Sequence, residues 1–140
     1  MRMLYAAADN LTRRLPKLLS PKAHAIADYA TVGSFLLAGA ILWRKHKQAA
    51  EGAFLCAGAE IVLNLLTDYP GGIISAVSFP VHRKIDIGLA ALTATMPELL
   101  RFRHGRKFFL VQSAAITAAA NLTRFSPARN PSRIRRAGTS

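Results

Sequence analysis

Acidic residues are scarce in this chain. Seven Asp and Glu stand against 19 Lys and Arg, a formal net charge of +12. An excess of that size favours anionic partners, and nucleic acid and anionic lipid are the two obvious kinds. Cysteine is nearly absent too. With Cys56 alone, neither an internal disulfide nor a cysteine-built zinc site can form. The chain has no Walker pattern, no phosphate-cradling glycine loop and no Ser/His/Asp triad, so nothing in it calls for an enzyme. Residues 1–20 hold no apolar run long enough for a cleavable signal peptide, so the first hydrophobic span is expected to remain as an anchor. At 140 residues the chain is sized for one domain.

What is present is sharply segregated. Mean hydropathy is only +0.22, yet the basic residues gather in two tails and a few short loops. Between them run four apolar spans: about Ala23 to Trp43, Ala49 to Leu66, Ile85 to Leu100, and Phe108 to Thr123. The first is long enough to cross a bilayer, which takes about 20 residues. The last two are shorter, and flanking Arg and Lys can extend them by snorkelling. Arg44-Lys45-His46-Lys47 closes the first span. Tyr69-Pro70-Gly71-Gly72 ends the second, because Pro and Gly do not continue a helix. Residues 73–81 are apolar but too short to cross, and are expected to lie at the membrane interface or dip back in. Arg101, Arg103, Arg106 and Lys107 close the third.

Soluble helices carry a charged face at nearly every turn. These spans do not: no charge lies between Lys107 and Arg124. The expected fold is all-α, a four-transmembrane-helix bundle over residues 23–125. A basic amphipathic segment, residues 1–22, precedes it, and a disordered basic tail, residues 126–140, follows. The expected partners are the lipid bilayer and its anionic headgroups, with self-association into a homo-oligomer left open. Nucleic acid is not expected, because the Arg129–Arg136 tail lacks the interleaved aromatics that stack on bases. The tails and central loop carry 12 basic residues against 7 in the two tight turns. That bias points to a multi-pass protein of a bacterial inner membrane with both termini in the cytoplasm.

An internal repeat organises the spans. An offset of 58 residues superposes His24 on His82, Asp28 on Asp86 and His46 on His104, which covers all four histidines. Asn64 and Asn121 match at 57. Each copy, about 23–69 and 81–125, reads His-x-x-x-Asp, helix, basic turn, helix, Asn. Each has two crossings, so the copies are expected to share one orientation about an axis along the membrane normal. The segments His24-Ala-Ile-Ala-Asp28-Tyr29, Leu66-Thr67-Asp68-Tyr69 with Gly71 and Gly72, and Pro80-Val81-His82-x-x-x-Asp86 resemble the SPW-repeat family of small four-helix bacterial membrane proteins. The resemblance covers roughly residues 20–102. The Ser-Pro-Trp tripeptide itself is missing; Ala38-Gly39-Ala40 near Trp43, and Thr95-Met96-Pro97, stand in its region. The resemblance implies a fold and a membrane location, and no biochemical activity.

Residues four apart share a helix face. His24 and Asp28 therefore point one way on the first helix, as His82 and Asp86 do on the third. Glu60, Asn64 and Asp68 form a stripe on the second; Ser113, Thr117 and Asn121 form one on the fourth. Helix directions then gather His24, Asp28, Asn64, Asp68, His82, Asp86 and Asn121 at one membrane face, with Glu60 deeper. Four of the seven acidic residues fall in these stripes. An acidic side chain inside a membrane costs about 2.5–3.5 kcal/mol on insertion scales, which calls for a partner or a function. Three readings stay open. His24–Asp86 and His82–Asp28 pairs can hold the register of the two copies. His24, Asp28, His82 and Asp86 can ligate a divalent metal such as zinc or iron, or the histidines a haem. Paired His and Asp can also respond to or relay protons. His46 and His104 are expected to be solvated in their basic turns.

Overall fold

The computed structural model describes residues 16–124, and these are mostly helical. The tail after residue 125 and most of the amphipathic N-terminal segment lie outside the described residues. Helix α1 (Pro21–Leu42) starts where Ser20 Oγ accepts the Ala23 N–H at 3.2 Å, with Pro21 in the first turn. Both are start signals, since a serine satisfies an orphan N–H and proline has none to lose. A tight basic turn leads into α2 (Lys47–Leu65). Helix α3 (Phe79–Leu99) opens on Ser78 with Pro80 in its first turn. Helix α4 (Arg106–Leu122) follows Gly105, whose φ of 81° suits glycine. The serines that precede α1 and α3 are themselves 58 residues apart.

Two elements depart from the sequence expectation. The third helix begins at Phe79, six residues before the expected Ile85, because Ser78 and Pro80 together make a start that apolar periodicity does not register. The second helix stops at Leu65, so Asp68 does not continue the Glu60–Asn64 stripe. Residues 67–68 instead form a short strand, β1 (Thr67–Asp68), paired in parallel with β2 (Val77–Ser78) through Thr67 opposite Val77 and Asp68 opposite Ser78. At the other seam, Leu19 pairs in parallel with Thr123. Leu19 N–H donates to Leu122 O and Arg124 N–H to Leu19 O, both at 3.0 Å. The end of each copy's second helix is thus stitched to the start of the other copy's first.

Helices α1 and α2 pack as one hairpin and α3 and α4 as the other. Small residues let the axes approach: Ala49, Ala50, Ala53 and Ala57 of α2 are fully buried. Gly39 admits Phe54 so closely that a Cβ there would sit 2.6 Å from its ring. The apolar core, centred on Phe35, Phe109, Cys56 and Ile116, fills the middle of the bundle. The outside is apolar as well. Ile26, Leu37 and Ile41 of α1 are 64%, 63% and 70% exposed, while His24 and Asp28 on the same helix are buried. Among the described residues, α1 alone is long and apolar enough, by length and composition, to cross a membrane.

Candidate functional site

Each His-x-x-x-Asp unit lies just inside a helix start, so the starts of α1 and α3 place two histidines and two aspartates at one end of the bundle. All four side chains are buried, His24 and His82 completely. They form a closed ring. His24 Nε2 lies 3.4 Å from Asp28 Oδ1 and 3.2 Å from Asp86 Oδ2. His82 Nε2 lies 3.3 Å from Asp28 Oδ2 and 3.2 Å from Asp86 Oδ1. Every carboxylate therefore offers one oxygen to each histidine, and the two halves are related by the same two-fold exchange as the sequence copies. One donor atom from each of the four residues can be chosen so that all lie within 4.8 Å of one another.

Two threonines fix which nitrogen of each ring faces the carboxylates. Thr67 Oγ1 donates to Leu63 O at 2.7 Å and lies 2.6 Å from His82 Nδ1. Thr123 Oγ1 donates to Ala119 O at 2.6 Å and lies 2.7 Å from His24 Nδ1. A hydroxyl has one proton, and in each case a backbone carbonyl takes it. The Nδ1 atoms must therefore be the donors. In a neutral imidazole that leaves Nε2 as a bare lone pair facing anionic oxygens, whereas a protonated ring donates from Nε2 as well; His24 Nε2 lies at hydrogen-bond distance, 3.2 Å, from Asp86 Oδ2. His82 Nε2 and Asp86 Oδ1 make no hydrogen bond despite their short separation. The threonines cross between copies: Thr67 follows the first copy's α2 and holds the second copy's histidine, while Thr123 follows α4 and holds the first copy's.

Aromatic rings close the site from outside. Phe79 lies edge-on to His24 at 5.4 Å between centroids, and Tyr69 is tilted against His82 at 5.1 Å. Tyr69 Oη donates to Asp28 Oδ2 at 3.0 Å. Burial, with the Asp28 carboxylate beside it, holds the Tyr69 phenol well above its usual range, so it stays a donor. Tyr29 Oη ties the neighbouring loop by donating to Gly71 O at 2.7 Å.

Of the eight polar residues read from the sequence, the structure brings His24, Asp28, His82 and Asp86 into direct contact. Glu60 and Asn64 are buried on α2, where Glu60 Oε1 and both side-chain polar atoms of Asn64 make no hydrogen bond among the described residues. Asn121 is buried and binds cations. Its Oδ1 accepts from Arg83 Nη2 at 3.1 Å and its backbone carbonyl from Lys17 Nζ at 2.6 Å. Asp68 is exposed and accepts from Ser75 Oγ at 3.0 Å, so its expected place in the cluster is corrected. Thr67, Thr123 and Tyr69 are site residues that helical periodicity did not single out. A signal for the threonines existed: a Thr follows the helix-terminal Asn in both copies, three residues on in one and two in the other. No protein family, curated protein or solved structure matches this chain.

Proposed function

We propose that this is a four-span membrane protein whose ring of His24, Asp28, His82 and Asp86 binds one divalent transition-metal ion. The observation that carries the metal reading is the contact of each histidine Nδ1 with Thr67 or Thr123 Oγ1, which directs both Nε2 atoms toward the carboxylates, where the neutral rings would offer lone pairs to a metal. Metal-ligating histidines characteristically donate their other ring N–H in this way. Two carboxylates neutralise a dication, so the loaded site would carry no net charge in a low-dielectric interior. Two imidazoles with two carboxylates suit zinc or ferrous iron. They do not suit haem, because the carboxylates lie between the two Nε2 atoms, where a porphyrin plane would have to pass.

The membrane reading rests on the inverted surface of the bundle. His24, Asp28, Glu60, Asn64, His82 and Asp86 point inward, and Leu36, Leu37, Ile41, Leu55, Val62, Leu110 and Val111 point out. Water does not select such an arrangement, and hydrocarbon does. Helix α4, at 17 residues, spans about 25 Å at 1.5 Å per residue, and its basic flanks extend its reach. The resemblance to the SPW-repeat family is consistent with this placement and adds no activity.

A second reading has its own support. The four N–O distances of 3.2–3.4 Å also close a ring in which two imidazolium and two carboxylate groups cancel each other without a metal. Such a ring would hold the copies in register and respond to protons. Elemental analysis separates the two. Detergent-purified protein, stripped with chelator and reloaded with zinc or ferrous iron, is expected to retain about one ion per chain. His82→Ala, still helical by circular dichroism, is expected to retain none. Stoichiometry no higher in the parent than in this variant rules the metal reading out in favour of the ring. The membrane reading is tested separately: alkaline carbonate should leave the chain in the membrane pellet, and release into the supernatant would refute it.

A further inference from the structure

The opposite end of the bundle carries a second arrangement built from the same repeat. There, the α1–α2 turn meets the α3–α4 turn around a cleft of about 480 Å³. Lys45, Lys47, Arg101 and Arg103 line it, and no carboxylate does. Lys45 and Arg103 are 58 residues apart, the repeat offset. So are His46 and His104, whose rings stack at 3.5 Å between centroids with planes 7° apart and form one wall. These histidines were expected in solvent; His104 is exposed and His46 half-buried, and their stacking joins the two turns. Arg106 is taken by an ion pair with Glu98. Lys45, Arg101 and Arg103 have no acidic partner among the described residues.

The cleft also receives a helix start. Lys47, Gln48 and Ala49, the first turn of α2, line it, and no side chain caps this helix: His46 occupies the cap position without such a bond. First-turn N–H groups point away from the helix and carry partial positive charge, which suits an anion. Arg101 keeps a left-handed backbone, φ 55°, where glycine is at home, and this brings a guanidinium to the rim where glycine would bring none. Four cations, an uncapped helix start and a concave shape together match a phosphate group. Arginine forks bind its oxygens in pairs and lysines add point charge.

We propose that this basic cleft is a phosphate-binding site, taking either the phosphodiester of an anionic lipid or free inorganic phosphate. It is independent of the ring at the other end and does not require a metal there. The chain supplies its own reporter. Trp43 is the single tryptophan, and Lys47 Nζ sits 5.3 Å from its ring centroid. Drawing Lys47 onto an anion removes a cation from the indole face and changes its emission.

The test uses the intact chain in neutral-detergent micelles. One arm titrates potassium phosphate against potassium chloride at matched ionic strength. The other titrates dihexanoyl phosphatidylglycerol against dihexanoyl phosphatidylcholine. We expect a saturable change in Trp43 emission in at least one arm. Saturation with phosphate alone assigns a free anion, with phosphatidylglycerol alone a lipid, and with both a site that reads only the phosphate. The single variants Lys45→Gln and Arg103→Gln, both at exposed positions, are each expected to raise the half-saturation point at least threefold. The pair K45Q/R103Q should raise it tenfold or more, and the charge-preserving pair K45R/R103K should stay within threefold of the parent. The proposal is overturned by responses no greater than those to chloride and phosphatidylcholine. Half-saturation unchanged in the single variants overturns it equally.

Discussion

A threonine hydroxyl decides the chemistry of each buried histidine. Because Thr67 gives its proton to Leu63 O, it can only accept from His82, and Nδ1 is fixed as the protonated nitrogen that donates to it. Valine keeps the shape at residue 67 and removes the acceptor, leaving a buried N–H unsatisfied. Thr67→Val is therefore expected to weaken zinc binding about 10- to 100-fold, the usual effect of losing a ligand's outer partner, with one ion still bound at saturating metal. Thr67→Ser restores the hydroxyl and should recover most of the affinity. Competitive titration against a chromophoric chelator reads this directly. Equal affinity in Thr67→Val and the parent would mean that tautomer control does not matter. His24, Asp28, His82 and Asp86 were legible in the sequence because i, i+4 spacing and the repeat offset both act along one helix. Thr67 and Thr123 went unseen because each lies beyond its helix end, where periodicity no longer says which way a side chain points.

At the scale of elements, small residues and helix ends set the geometry, and the glycines grade how tightly. A Cβ on Gly72 would lie 1.7 Å from Thr67 O, a backbone atom that cannot move without breaking β1. A Cβ on Gly39 would meet only the ring of Phe54, which is partly exposed and can swing. At Gly33 nothing lies within 4 Å. The expected order of thermal stability is therefore Gly33→Ala at or above the parent, by up to about 1 kcal/mol from the helix-propensity gain, then Gly39→Ala, then Gly72→Ala. The last should lose about 2 kcal/mol or more, the range typical of enforced backbone shifts. Thermal unfolding in detergent gives the ranking, and Gly72→Ala matching Gly39→Ala would show that the β1 turn is not rigid. Helix ends were also where the sequence was hardest to read. Asp68 fits a stripe only while α2 is imagined to continue, and it stops at Leu65. The start of α3 was marked by Ser78 and Pro80 rather than by apolar spacing, because start signals belong to single backbone positions, to which hydrophobic periodicity is blind.

Across the whole molecule, the two copies hold each other at one end through the four-residue ring, the β1–β2 pairing, and the Leu19–Thr123 pairing. The apolar middle is shared as well. The covalent link between copies, the exposed stretch around Ile73 and Ile74, is then not what keeps them together. A protease site inserted between Ile74 and Ser75 and cut after purification is expected to leave both fragments co-eluting in detergent, with helicity unchanged. Separation of the fragments at elution would show that the crossed contacts are too weak to stand without the linker. The duplicated architecture itself was legible from four histidines at a common offset. The crossing of the stitches was not, because pairing partners distant in sequence leave no mark on either segment alone.

That crossing has an implication for origin. A single unit of helix, basic turn and helix carries one His and one Asp of the ring and one closing Thr, yet its Thr holds the His of the other unit. One copy alone would possess half a ring and no means of orienting it. Two identical copies around a dyad would complete both halves at once, as a symmetric dimer does with a self-complementary patch. Fusing such a pair into one polypeptide frees assembly from protomer concentration. It also lets the halves diverge singly, as the Arg83–Asn121 bond already records, since Ala25 stands at the matching position of the first copy.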